Sequence, residues 1–241
     1  MKRTQLVAAM VAVLAVGFVN ANALADEGVI RAKVSYGLAS YSSPSANSDI
    51  RSTYSTLGLG VTYIWPSNIF ADFTTRMTGS GASYNANGVT AGLVTADQSF
   101  SRTENTLTVG MPLDNGMQGN AGLFTADTVF KLSQYGQFSQ KMTGITAGAG
   151  KGFPLDGGKS GVLGVNGALA LLNASSSDRY GNVSSSNLSY GLSVGAAYNY
   201  PINKNVSVSA DAKFQSYLIK YSTFSGDERI LSTALSLIGQ F

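Results

Sequence analysis

Five pairs of charged residues stand two or four positions apart: Arg31 and Lys33, Asp72 and Arg76, Arg102 and Glu104, Asp127 and Lys131, Asp211 and Lys213. On a β-strand that spacing puts both members of a pair on one face. They are the side chains with most to offer chemically, because the chain has no histidine and no cysteine. The usual general base, the commonest metal ligand and the thiolate nucleophile are all missing, so no Ser-His-Asp or Cys-His arrangement can be built. No metal site and no cofactor are expected. Carboxylate-only chemistry of the glycoside-hydrolysing kind survives on residue types alone, but the expected role of these charges is electrostatic and the chain is not expected to be an enzyme.

Two apparent motifs dissolve on inspection. Gly148-Ala149-Gly150-Lys151-Gly152 has the look of a phosphate loop, yet its first glycine is misplaced and Gly152 stands where a serine or threonine should follow the lysine. The Asn-x-Ser triplets at Asn173, Asn182, Asn187 and Asn205 belong to a serine-rich chain and carry no further signal.

Only 12% of the residues are charged, about half the usual share for a soluble domain. Met1 to Ala25 opens with Lys2 and Arg3, continues through the apolar run Leu6 to Val19, and ends in Ala23-Leu24-Ala25. That pattern predicts a cleaved signal peptide over 1–25, the apolar run being shorter than the roughly 20 residues a membrane-spanning helix needs. Its removal leaves fourteen basic against thirteen acidic side chains, a net of +1. Nucleic acid is therefore not an expected partner. Residues 26–241 are read as one domain.

Strict alternation of apolar and small or polar residues predicts ten strands: 29–41, 54–65, 69–78, 99–111, 120–132, 138–153, 162–173, 188–200, 206–221 and 230–241. Four prolines, Pro66, Pro112, Pro154 and Pro201, each follow a large apolar residue and precede turn formers, so they mark short turns at one end. Both chain ends fall on that side. Five longer connections, 42–53, 79–98, 133–137, 174–187 and 222–229, are expected at the other. The final strand, Arg229 to Phe241, carries one greasy face and an edge that must pair, for which the first strand is the available neighbour.

Signal segment, alternating strands, short turns against long loops, and the terminal Leu235-Ser236-Leu237-Ile238-Gly239-Gln240-Phe241 together resemble the bacterial outer-membrane β-barrel class. The fold expected is all-β, a ten-stranded antiparallel up-and-down transmembrane barrel. The resemblance implies an outer-membrane location with periplasmic termini and extracellular long loops. It also implies contact with outer-membrane lipids and lipopolysaccharide, and recognition of the C-terminal strand by the barrel-assembly machinery. Outer-membrane proteases of the omptin type, lipid A deacylases, palmitoyl transferases and the membrane phospholipase are similar in architecture, but they rely on a catalytic histidine that this chain cannot supply.

Small polar faces such as Ser189, Gly191, Ser193 and Gly195 suit a crowded interior, so the apolar faces are assigned outward. Tyr63, Trp65, Phe153, Tyr198, Tyr200 and Phe241 bunch beside the proline turns and predict an aromatic girdle. Tyr41, Tyr54, Phe100, Tyr190 and Tyr221 are candidates for the opposite one. Lysine or arginine facing lipid at mid-depth costs about 2–4 kcal/mol, so all five charged pairs are expected in the lumen, with Arg76, Arg102, Glu104 and Asp127 forming a network. The function expected is structural or surface-interacting, with a plugged or narrow polar lumen and a surface ligand left open. A small porin-like diffusion channel is the alternative, and a secreted soluble barrel binding an apolar ligand the third reading.

Overall fold

A computed structural model describes residues 28–44, 48–79, 81–88, 98–132, 136–177, 180–221 and 225–241. The expected signal peptide over 1–25 lies outside them, as do parts of the connecting loops. Ten long strands form one closed antiparallel sheet: β1 Val29–Pro44, β2 Ser48–Ile64, β3 Phe70–Thr78, β4 Gln98–Pro112, β5 Met117–Leu132, β6 Gly136–Pro154, β7 Val162–Ser177, β8 Ser189–Pro201, β9 Val206–Lys220 and β10 Ser225–Gln240. Each pairs with its sequence neighbours, and β10 pairs with β1 from Arg31↔Gln240 to Ser42↔Arg229. Reciprocal backbone bonds between Ile30 and Phe241, at 2.9 and 3.1 Å, fasten the seam at its lower end. Closure leaves neither end strand as an unpaired edge, which is the condition for a sheet to sit in a medium without water.

The register shows how steeply the wall is wound. From Ile30 the partners run Tyr63, Ala71, Val109, Ala121, Ala147, Leu169, Leu192, Ser216, Arg229 and back to β1 at Ser42. One circuit thus climbs twelve residues over ten strands, a stagger that goes with strands tilted by about 40° to the axis.

Short turns close one end. In the β4–β5 turn Asn115 and Gly116 take φ of 61° and 70°, the left-handed region these residue types tolerate. Leu113 N–H bonds the Met117 carbonyl at 2.8 Å to close it. At the other end the strands run further than hydrophobic alternation indicates. β1 reaches Pro44 and β2 starts at Ser48, so most of the expected first loop is strand. β7 continues to Ser177 and β10 begins at Ser225. Two small strands extend the wall there: 85–88 pairs with β2 and 183–185 with β7. The alternation persists in these extensions, but between polar residues, so no apolar pattern announces it.

Outward positions carry Tyr36, Leu38, Leu107, Leu169, Leu192 and Leu235, the last 71% exposed. Inward positions differ between the two halves of the barrel. Toward the loops Tyr41, Tyr54, Phe100, Phe130, Met142, Leu172 and Ile219 are buried against one another. Toward the turns the wall of β6 to β8 presents Gly148, Gly150, Gly164 and Gly195, and the lumen is hollow.

Candidate luminal charge site

Arg102 is inward on β4 and buried, with a side chain only 2% exposed. Its Nε donates to Glu104 Oε1 at 2.9 Å, two residues along the same face. Its Nη1 reaches across the lumen to Glu228 Oε1 on β10 at 2.6 Å and to Thr128 Oγ1 on β5 at 2.5 Å. Tyr41 donates its hydroxyl to Glu228 Oε2 at 3.4 Å, and the guanidinium lies 5.9 Å from the Tyr41 ring centre. The pair is roofed by aromatics: Phe100 packs 5.3 Å from both Tyr41 and Phe130, and 4.8 Å from Tyr54, between ring centres.

A second cluster lies nearer the turns. Arg76 and Glu104 are direct register partners, yet the Arg76 guanidinium turns to Asp211 Oδ2 at 3.8 Å and Ser232 Oγ at 3.0 Å. Asp211 also holds Lys33 at 3.7 Å. One carboxylate thereby serves two cations from two other strands. Lys213, two positions on, faces the same space. Asp72 is satisfied differently, accepting from Thr62 at 2.6 Å and Thr74 at 2.9 Å. Arg31 stands at the mouth, donating to Gln240 at 2.9 Å. The second cluster itself lines two overlapping hollows of about 440 and 520 Å³, which Thr106, Thr108, Gln118, Asn120 and Asn166 also face.

Four expected placements are corrected. Asp127 is not in the network: it points outward on β5, where it meets outward-facing Lys141 at 3.8 Å. Lys131 also points outward. Both follow Leu123, the last outward leucine of β5, toward the loops, above the apolar belt, where an outward charge meets a far smaller penalty. Tyr41, Tyr54, Phe100 and Tyr221 are buried and form no outer ring; Tyr190 of that group does face outward. Glu228, the partner that completes the Arg102 site, falls in the expected connection 222–229 but lies inward on β10. Extending the phase of Ser232 and Ile230 back by two residues would have placed it inward.

Trp65, Phe153, Tyr198 and Tyr200 are exposed, and Tyr63 meets Trp65 edge-on at 4.7 Å. Tyr198 donates its hydroxyl to the Ser160 carbonyl at 2.5 Å, and the Phe241 ring lies over Gly239. Among the described residues, no three carboxylates gather as a metal-binding group, and no helix is long and apolar enough to cross a membrane.

No protein-family model and no curated protein sequence matches the chain. Among solved structures it is similar to the outer membrane protease OmpT from Escherichia coli, at 12% identity and a TM-score of 0.65, over 88% of this chain and 97% of that one. It is also similar to the translocator domain of autotransporter NalP from Neisseria meningitidis (14% identity, TM-score 0.48, 97% and 98% covered). Neisserial surface protein A is a further match (16%, 0.42, 89% and 100%). The fold is that of the bacterial outer-membrane β-barrels.

Proposed function

We propose that the protein is an integral outer-membrane barrel without enzymatic activity, serving a structural or surface-interacting role with a lumen closed toward the loops. The observation that carries this reading is the Arg102–Glu228 pair beneath its aromatic roof, set inside a wall whose outward face is leucine and tyrosine. Such a wall suits a lipid belt, and such a roof fills the loop-end half of the lumen with packed side chains. In this orientation the termini and proline turns lie in the periplasm and the loops at the cell surface. OmpT, one of the similar structures, is a protease, but omptin-type catalysis needs a histidine. Here Arg102, Glu104 and Glu228 are tied to one another, as are Asp211, Arg76 and Lys33.

The hollow at the turn end favours a second reading, a narrow diffusion channel whose only barrier is the loop-end plug. Two measurements separate the readings. Outer-membrane fractionation with heat-modifiable gel migration tests the membrane assignment, which recovery in the soluble periplasm would sink. Recording in planar bilayers tests the plug: the proposal expects no steady conductance, and stable single-channel steps from the native protein would replace it with the channel reading.

A further inference from the structure

Across the outer face of β3 to β7 runs one unbroken register row of polar residues: Thr75, Asn105, Thr125, Thr143 and Asn173. Asn105 donates to Thr125 at 3.3 Å along it. The next row toward the loops places Asp127 beside Lys141, with side chains 47% and 68% exposed and 3.8 Å apart. Toward the loops the opposite wall is polar as well, with Ser42, Ser216 and the exposed Asp227–Arg229 pair at 3.2 Å, so the two walls differ only lower down. Once the climb of the register is allowed for, the level of Asn105 carries Leu38, Leu192, Phe214 and Leu231 there, all exposed.

The lower end of the row, Thr75 and Asn105, lies one row toward the loops from the exposed pair Phe73 and Leu107 and one row below the exposed Met77, within the apolar belt. An amide and several hydroxyls facing hydrocarbon leave hydrogen-bonding capacity unused, and such groups in membranes are found turned toward protein. We propose that this face, centred on β5 and β6, is the contact surface for a second copy of the chain, an inference that rests on the membrane reading above. Two copies inserted the same way round are related by a two-fold axis along the membrane normal, so each level meets the same level. Asp127 and Lys141 are side-by-side register partners, so the axis brings Asp127 of one copy opposite Lys141 of the other. Hydroxyls and amides both donate and accept, so the row is self-complementary. A lipid phosphate fits less well, because the charged pair is neutral and the row continues below headgroup depth.

The chain contains no cysteine, so single-cysteine variants report the contact directly. Thr125→Cys and Thr143→Cys, which flank the axis, are expected to give a covalent dimer when oxidised in isolated outer membranes. Leu192→Cys and Leu231→Cys on the far wall are expected to stay monomeric. In the Thr125→Cys background, Asp127→Lys should abolish the dimer and adding Lys141→Asp should restore it. Heat-modifiable migration of each variant certifies that it is folded. Folded, membrane-inserted protein that gives only monomers at all four positions, or dimers at all four alike, overturns the interface and leaves the membrane reading standing. Variants recovered outside the membrane overturn that reading itself.

Discussion

Arg102 and Glu228 lie on strands far apart in the chain, yet their side chains meet at 2.6 Å inside the barrel, both almost fully buried. Each is desolvated, and each therefore depends on the other. Removing one partner of a buried pair costs about 3–5 kcal/mol, because the survivor is left charged and unpaired. Glu228→Ala and Arg102→Ala should each lower the denaturant midpoint of the heat-modifiable band markedly. Arg102→Met combined with Glu228→Leu should recover part of the loss, since neither member of the pair is left charged without the other, while Glu104 still loses its bond to Arg102. A double variant as unstable as the sum of the singles would show that the pair has no mutual dependence.

The roof above that pair yields a second expectation. Tyr41, Phe100 and Phe130 close the loop-end half by packing on one another. Replacing Phe100 and Phe130 together with alanine, in a variant whose folding is confirmed by gel migration, should open a path down to the hollow beneath. Planar bilayers containing the variant should then show conductance steps absent from the native protein. A silent variant would mean that the charged layer alone blocks the lumen.

Two inward glycines should respond oppositely to the same change. A side chain at Gly191 would collide with the Tyr217 ring, which stacks on Phe124 at 5.8 Å. At Gly164 the nearest neighbour is the Ala197 carbonyl at 3.7 Å, an ordinary contact beside the hollow. Gly191→Leu should therefore destabilise by about 1–3 kcal/mol, the usual cost of overpacking, while Gly164→Leu stays near the native midpoint. Equal midpoints for the two would contradict the division of the lumen into a filled half and a hollow one.

At the seam, Phe241 ends the strand that closes the sheet and lays its ring over Gly239. Phe241→Ala keeps the backbone bonds to Ile30 available but uncovers that stretch. The expected result is a lower fraction of folded, membrane-inserted protein at unchanged synthesis, read from fractionated cells. Undiminished insertion would remove any role of the ring in assembly.

Within the apolar belt the sequence was an open text. Leucine and tyrosine alternating with glycine and serine specified ten strands, their facing and the closing neighbour of β10, because burial in opposite media imposes opposite chemistry on alternate residues. Toward the loops both faces become polar and the contrast vanishes. That is why apolar alternation starts β10 only at Ile230, leaving Glu228 outside it, and why a lipid penalty that does not act at the level of Asp127 and Lys131 predicts the wrong facing for both. Arg76 and Glu104 were rightly set side by side by counting from the turns. Which carboxylate Arg76 would choose depended on Asp211 from across the lumen, a relation that no local spacing encodes.

The twelve-residue climb of the register also restricts how this chain can change in length. One circuit must return an outward residue to an outward place, as Ile30 is carried to Ser42, so the total advance has to remain an even number. Deleting a single residue within β9 would turn part of that strand inside out, exposing either Asp211 or Lys213 to the surroundings and drawing leucine or valine into the lumen. Insertions and deletions should therefore be confined to the open ends of the cylinder, leaving the wall to diverge by substitution alone.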